Sequence, residues 1–311
     1  MSIFLRWCLA WSLGWSASVT TAQESYVVME HHSGKIFYES HAEKKRPVAS
    51  LTKVATAMVV LDWAAATRVD LGLKIPVQPI VLQVAAVNPL GLRPGDRISL
   101  RDLLYSALLG SDNVAANALA HYVGTAIQRA RGRGGDPIGT FVDEMNNLAE
   151  VLGMSDTRFG NPHGLDDRGK GRSTAIDLAK LTVYGLKQPA FGFMVKQRER
   201  TISVERGGEL SQFRVESTNQ LLGQQEIDGV KTGLTRAAGQ CLIVSAPRET
   251  QALEMPDGRK LLIPGRMHVI VLGSPDRFRQ SAALLAQGWA AFDAWQRAGR
   301  LTPPRELLKN R

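Results

Sequence analysis

The sequence predicts an α/β fold, with strands from the two ends of the chain forming a sheet and a helix-rich stretch between them. Three observations carry that expectation. Short runs rich in Val, Ile, Phe and Tyr stand at residues 26–29 and 36–38, and strand-like runs return at 228–234, 240–247 and 266–273. Apolar stretches of helical length and spacing lie between these groups. Three short strings, Ser50-Leu51-Thr52-Lys53, Ser111-Asp112-Asn113 and Lys231-Thr232-Gly233, follow at separations that leave room for a helical subdomain and then a return to the sheet.

Taken in order, the first two runs flank Ser33-Gly34, a turn pair, and read as two strands. Arg46-Pro47-Val48-Ala49 leads into a helix over 50–66, rich in Ala, Val, Met and Leu and free of breakers, which suits burial. Residues 67–100 are punctuated by Pro and Gly, with apolar pieces such as Ile80-Val81-Leu82 and a turn-rich stretch at 90–96. Ser99 is placed to cap a helix over 100–109. Ser111-Asp112-Asn113 interrupts it, and a second helix is expected over 114–123. Residues 129–135, Arg-Ala-Arg-Gly-Arg-Gly-Gly, read as a flexible basic loop. Phe141, Met145, Leu148, Ala149 and Leu152 form a helical stripe that stops at Gly153. A turn at Asn161-Pro162-His163-Gly164 and a short helix over 177–186 follow. Residues 201–215 are strand-like around Gly207-Gly208, and Asp257-Gly258 is a turn pair between the last two strands. Residues 277–297 read as one amphipathic helix, with no internal repeat and no second domain after it.

A chain of 311 residues with 44% hydrophobic side chains can bury one large core or two lobes. Its net charge of +9 and pI near 9.8 favour polyanionic surroundings: nucleic acid, anionic lipid or anionic wall polymer. No nucleic-acid motif, aromatic-interleaved basic patch or zinc spacing is present, so nucleic acid is set aside as a partner. Arg6 followed by the short apolar stretch 7–19 and Thr20-Thr21-Ala22 reads as a secretory signal cleaved after Ala22, with an uncleaved anchor as the alternative. The expected organisation is a signal peptide at 1–22, a catalytic domain at 23–300 with a helical lobe of about 67–200 inserted in it, and a basic tail at 301–311. Of the two cysteines, Cys8 lies in the signal, in a poor lipoprotein box. Cys241 sits in an apolar run and reads as a buried small hydrophobe.

A serine hydroxyl is a weak nucleophile and needs a base. At i and i+3 of a helix, Ser50 and Lys53 share a face about one turn apart. Lys53 can act as the base only when neutral, which desolvation and a second cation, Lys231, would promote. Ser111 can relay a proton to a leaving amine, and Asn113 can hydrogen-bond a substrate amide, with Asp112 structural. Lys231 supplies charge and Thr232 a hydroxyl for a substrate carboxylate, while Gly233 lets a ligand lie against the strand. The backbone N–H groups of Ser50 and Leu234 would form an oxyanion hole.

With these residues the chain resembles the D-alanyl-D-alanine carboxypeptidase A family, the low-molecular-mass penicillin-binding proteins, over roughly residues 25–295. The resemblance extends to Arg46-Pro47-Val48-Ala49 before Ser50, Leu152-Gly153-Met154 with Thr157 and Phe159, and Asn161-Pro162-His163-Gly164-Leu165. It also includes Asp228-Gly229-Val230 before Lys231 and Ala237-Ala238-Gly239 after it. It implies an antiparallel sheet flanked by helices, an inserted helical lobe and an active site between the lobes. It also implies removal of the terminal D-alanine from peptidoglycan pentapeptides through an acyl-enzyme, acylation of the same serine by β-lactams, and no metal or cofactor. Arg277, before the last helix, matches a family arginine that helps bind the terminal carboxylate. The resemblance places the protein in the periplasmic or cell-wall space, with stem peptides as its partners. Many relatives carry a further C-terminal β-rich domain, whereas the chain as read to Arg311 is expected to resemble the shorter ones, some of which are endopeptidases. Its 129–135 loop looks longer than usual and is either solvated or a contact for glycan or partner.

Three other readings remain. Endopeptidase and carboxypeptidase use one constellation and differ in the cleft around the leaving group; carboxypeptidase is the expectation. A class A β-lactamase needs a deacylating glutamate. Glu144-Met145-Asn146-Asn147 has the Glu-x-x-Asn form but falls inside the 141–152 stripe. A non-catalytic penicillin-binding scaffold would show a degraded Ser, Lys or Asn, and none is degraded.

Overall fold

The apolar runs from the two ends of the chain meet in one five-stranded antiparallel sheet. A computed structural model describes residues 24–84, 88–166, 169–254 and 260–299. Strands β1 (Ser25–Glu30) and β2 (Ile36–Ser40) form the first hairpin. A 3-10 turn, Ala49–Thr52, feeds α1 (Lys53–Thr67). Short strands β3 (Lys74–Pro76) and β4 (Arg97–Ser99) precede α2 (Leu100–Leu108), α3 (Asn113–Ala130), α4 (Pro137–Val151), α5 (Ala175–Leu186) and α6 (Pro189–Val195). Then come β5 (Glu199–Arg206), β6 (Glu209–Glu216), β7 (Gly229–Thr235), β8 (Gly239–Glu254), β9 (Lys260–Ser274) and α7 (Arg277–Arg297).

The large sheet runs β2-β1-β9-β8-β7, so the first strands pair with the last and β7 is an edge. Its side chains alternate between two cores. Val27, Ile243, Ile270 and Leu272 enter the larger core, whereas Val28, Leu242, Val244, Val269 and Val271 enter a second core with Leu285, Phe292 and Trp295 of α7. Burial on both faces explains why these strands read as continuous apolar runs. Helix α5 lies against β1 and β9, and α1 packs on α2, α3, α4 and α5. Residues 53–61 of α1 are buried without a break, which accounts for a helix apolar on every side.

Several expectations change. Ser50 lies in the 3-10 turn, not on the α-helix; Ala49, at φ +49°, bends the chain there before α1 begins at Lys53. Helix α3 continues past residue 123 to Ala130 because Gly124 is a packing position. A Cβ there would lie 1.9 Å from the carbonyl oxygen of Pro137, at the start of α4. The basic stretch 129–135 therefore begins inside a helix. The strand-like region at 201–215 is the β5–β6 hairpin of a second sheet, ordered β3-β4-β5-β6. Strands β3 and β4, three residues each, and the short α6 carry too few periodic residues to be read from the chain. Strands β8 and β9 run well past their expected ends. The signal at 1–22, the Asp257-Gly258 turn and the tail at 301–311 lie outside the described residues.

Candidate active site

The Ser50 turn is wedged between two glycines. Gly164, at φ +86°, sits so close to it that a Cβ would stand 1.9 Å from the Ala49 carbonyl oxygen. On the other side, a Cβ on Gly233 would lie 3.0 Å from the Val48 carbonyl oxygen and 3.3 Å from Ser50 N. Gly233 thus brings β7 onto the Ser50 turn. The space of its missing side chain is taken up by the Val48–Ser50 backbone and the Ala49 side chain.

Lys53 is wholly buried, and its Nζ has three oxygen neighbours: Ser50 Oγ at 2.9 Å, Asn113 Oδ1 at 2.6 Å and the His163 carbonyl at 2.8 Å. The His163 carbonyl is aimed by its turn. Asn161 Oδ1 accepts the N–H groups of His163 and Gly164, and Thr56 Oγ1 donates to the Pro162 carbonyl. Asn113 begins α3 with its carbonyl turned to Lys53, so only its amide N–H groups remain for a substrate. Asp112, fully buried, caps α3 by accepting from Ala115 N at 3.0 Å and takes the Ser106 hydroxyl at 2.8 Å. The structural role expected for Asp112 is the one observed. Ser111 occupies the tip of that connection at φ +60° and is half-buried. No hydrogen bond joins its hydroxyl to Lys53 or Lys231 among the described residues.

Burial, and then the charge of Lys231, hold the Lys53 ammonium well below the ordinary lysine range, with Asp112 opposing. Lys231 is 1% exposed and donates to the Thr232 carbonyl at 3.2 Å. Burial, followed by the charge of Arg277, brings its pKa down to about 7. Arg277 opens α7 and donates through Nη1 to the Gly233 carbonyl at 2.8 Å, while its buried Nε has no partner among the described residues. Burial lowers its pKa as well. Thr232 is buried, and its hydroxyl meets that of Thr218 at 2.5 Å. Leu234 is 63% exposed on the edge strand. Ser50, Lys53, Asn113, Lys231, Thr232, Gly233 and Arg277 are therefore brought together, while Ser111 and Leu234 stand beside them without direct bonds to the lysines.

Two contributors were not anticipated. The His163 carbonyl works through its backbone, and Thr218 belongs to no motif; only the Asn-Pro-His-Gly turn hinted at the first. Glu144, the residue a β-lactamase reading needs, is paired with Arg131 at 2.6 Å. Cys241 is fully buried, and burial pushes its thiol up to about 11, in keeping with an inert hydrophobe.

A family model described as D-alanyl-D-alanine carboxypeptidase matches residues 15–255. The chain is 32% identical over 237 residues to a D-alanyl-D-alanine endopeptidase of Escherichia coli, covering 74% of this chain and 70% of that protein. It is 35% identical over 291 residues to the D-alanyl-D-alanine carboxypeptidase DacD of the same organism, covering 88% of this chain and 64% of that one. The match thus spans about two thirds of these relatives' length. The crystal structure of the Streptomyces K15 DD-transpeptidase superposes with a TM-score of 0.73 at 28% identity, covering 85% of this chain and 96% of that one. Penicillin-binding protein D2 from Listeria monocytogenes, in its cefotaxime-bound form, gives 0.66 at 30% identity, covering 85% and 96%.

Proposed function

Because the chain belongs to the D-alanyl-D-alanine carboxypeptidase family of serine peptidases, we propose that it removes the terminal D-alanine from peptidoglycan pentapeptides through an acyl-Ser50 intermediate. The observation that carries this reading is the set of three oxygens around Lys53. A neutral amine has two N–H donors and one lone pair. Asn113 Oδ1 and the His163 carbonyl can only accept, so they take both donors. The lone pair is left for the Ser50 hydroxyl, which is the arrangement a general base needs.

The steps follow. Lys53 takes the Ser50 proton as Oγ forms a bond to the carbonyl carbon of the penultimate residue. The negative charge that develops on the carbonyl oxygen is met by the N–H groups of Ser50 and Leu234, donors typically worth about 3 kcal/mol each. The C–N bond then breaks, and the leaving amine receives the proton from Lys53 through Ser111. Water, deprotonated by Lys53, hydrolyses the ester and returns Ser50 to its hydroxyl form. The substrate's terminal carboxylate faces Thr232, Lys231 and Arg277, and the Asn113 amide faces its peptide bond. The free edge of β7 supports binding an extended peptide backbone. A β-lactam acylates the same serine. The protein acts in the periplasmic or cell-wall space, and its +9 charge supports weak contact with anionic wall polymer or membrane.

The second reading, an endopeptidase cutting D-alanyl cross-links, is favoured by the relative bearing that name. Chromatography of muropeptides separates the two, using a pentapeptide monomer and a cross-linked dimer with Ser50→Ala as control. Loss of D-alanine from the monomer alone is expected. Conversion of dimer to monomers would establish the endopeptidase, and an active Ser50→Ala protein would remove Ser50 from the mechanism.

A further inference from the structure

We propose that Thr218 is a substrate-positioning residue that bridges the two walls of the cleft and sets the direction in which the Thr232 hydroxyl donates. Thr218 lies in the connection between β6 and β7 and belongs to none of the three motifs. Its backbone N–H donates to the Leu109 carbonyl at 3.1 Å, and its hydroxyl lies 3.3 Å from the same oxygen. Leu109 caps the C-terminal end of α2, two residues before Ser111. On its other side, the Thr218 hydroxyl is 2.5 Å from the Thr232 hydroxyl. One exposed side chain therefore touches both the strand carrying Lys231-Thr232-Gly233 and the segment leading into Ser111-Asp112-Asn113.

The donor directions follow from counting hydrogens. The Thr218 hydroxyl has one hydrogen and two candidate acceptors. The Leu109 oxygen already holds the Thr218 N–H, and the Thr232 oxygen is nearer by 0.8 Å (3.3 against 2.5 Å). Donation from Thr218 to Thr232 leaves the Thr232 hydrogen free for an anionic oxygen. The reverse direction would turn Thr232 lone pairs toward a carboxylate and repel it. A chain of hydroxyls donating toward an anion also polarises each link. Thr218 thereby favours a ligand with a free terminal carboxylate over the same ligand without one. This inference rests on the reading in which Thr232 faces the terminal carboxylate.

The test compares the intact enzyme with Thr218→Val and Thr218→Ser on a peptide ending in D-Ala-D-Ala. The same peptide with its terminal carboxylate amidated serves as competitor. In Thr218→Val, KM for the carboxylate peptide should rise about three- to ten-fold, the range one neutral hydrogen bond supplies, with little change in kcat. The inhibition constant of the amidated peptide should stay put, and Thr218→Ser should restore KM. Equal weakening of both peptides, a fall in kcat at constant KM, or no rescue by serine would overturn the inference and leave a merely structural residue. An intact enzyme that releases no D-alanine from the carboxylate peptide would instead overturn the function on which the inference rests.

Discussion

Lys53 and Lys231 are both buried, and the charge of Lys231 makes that of Lys53 more costly. Lys231, whose pKa is brought down to about 7, gains its charge as pH falls through neutrality. The sign of a substitution follows. Lys231→Gln removes a cation that lowers the Lys53 pKa, so that pKa should rise. The acid limb of the β-lactam acylation rate should then move to higher pH, whatever happens to the rate at its plateau. Acylation constants measured across pH 4–9 would test this, and an unmoved acid limb or one shifted to lower pH would count against Lys53 as the base. These residues were legible because their chemistry is written in side chains at fixed spacing. The His163 carbonyl was not, since a backbone oxygen looks the same at every position, and neither was Thr218, whose partners stand 14 residues away or further.

Elements meet at this site through missing side chains. The 161–165 turn reaches the Ser50 turn only because Gly164 has no Cβ, and its positive φ is a conformation L-residues adopt at a cost of about 1–2 kcal/mol. Gly164→Ala adds a backbone clash to that strain. It should displace the His163 carbonyl from Lys53 and slow penicillin labelling by about 10²-fold or more, the scale of a mispositioned base. Gly153→Ala is the control: its φ is +65°, yet no atom lies within 4 Å of the added Cβ. That variant should lose some stability and label at the normal rate. Similar labelling by the two proteins would dissociate the turn from catalysis. Local signals placed the capped helices well: Ser99 accepts from Asp102 N, and α7 spans the residues its amphipathic pattern marked. Helix α3 runs to Ala130 rather than to the expected 123, with Gly124 packed against the start of α4.

Across the whole molecule, the sheet pairs its first strands with its last and holds a histidine pair, His268 buried and His31 partly so. His31, after β1, meets His268 of β9, with Nδ1 to Nε2 at 2.8 Å. Burial first, then His32 and Arg266, lowers the His31 pKa to about 4, and His268 lies well below its ordinary 6.5. Both are neutral in the folded protein at pH 6.5, whereas the unfolded chain takes up protons there. Between pH 6.5 and 4 the unfolded state holds more protons, so stability from this pair is present above that window and is lost as pH falls through it. Asp112 and Asp62, whose carboxyls are raised by burial, act in the opposite sense, so the histidine contribution is best read as a difference. Urea unfolding of the protein and of His31→Gln/His268→Gln should show a shallower acid decline in the variant. Parallel declines would show that the pair does not titrate on unfolding.

The α/β class, the Ser50-x-x-Lys53 pair, the other two motifs and the burial of Cys241 were readable from the sequence, because each rests on short-range periodicity or on side-chain types at fixed spacing. The three-dimensional fold was needed to show that Ser50 stands on a 3-10 turn, that a second sheet forms from β3 to β6, and that Gly233 lets β7 close onto the Ser50 turn. It also showed that the Lys53 amine has three oxygen neighbours, two of which can only accept. Asn113 and the His163 carbonyl reach Lys53 from 60 and 110 residues away, and no local pattern encodes that approach.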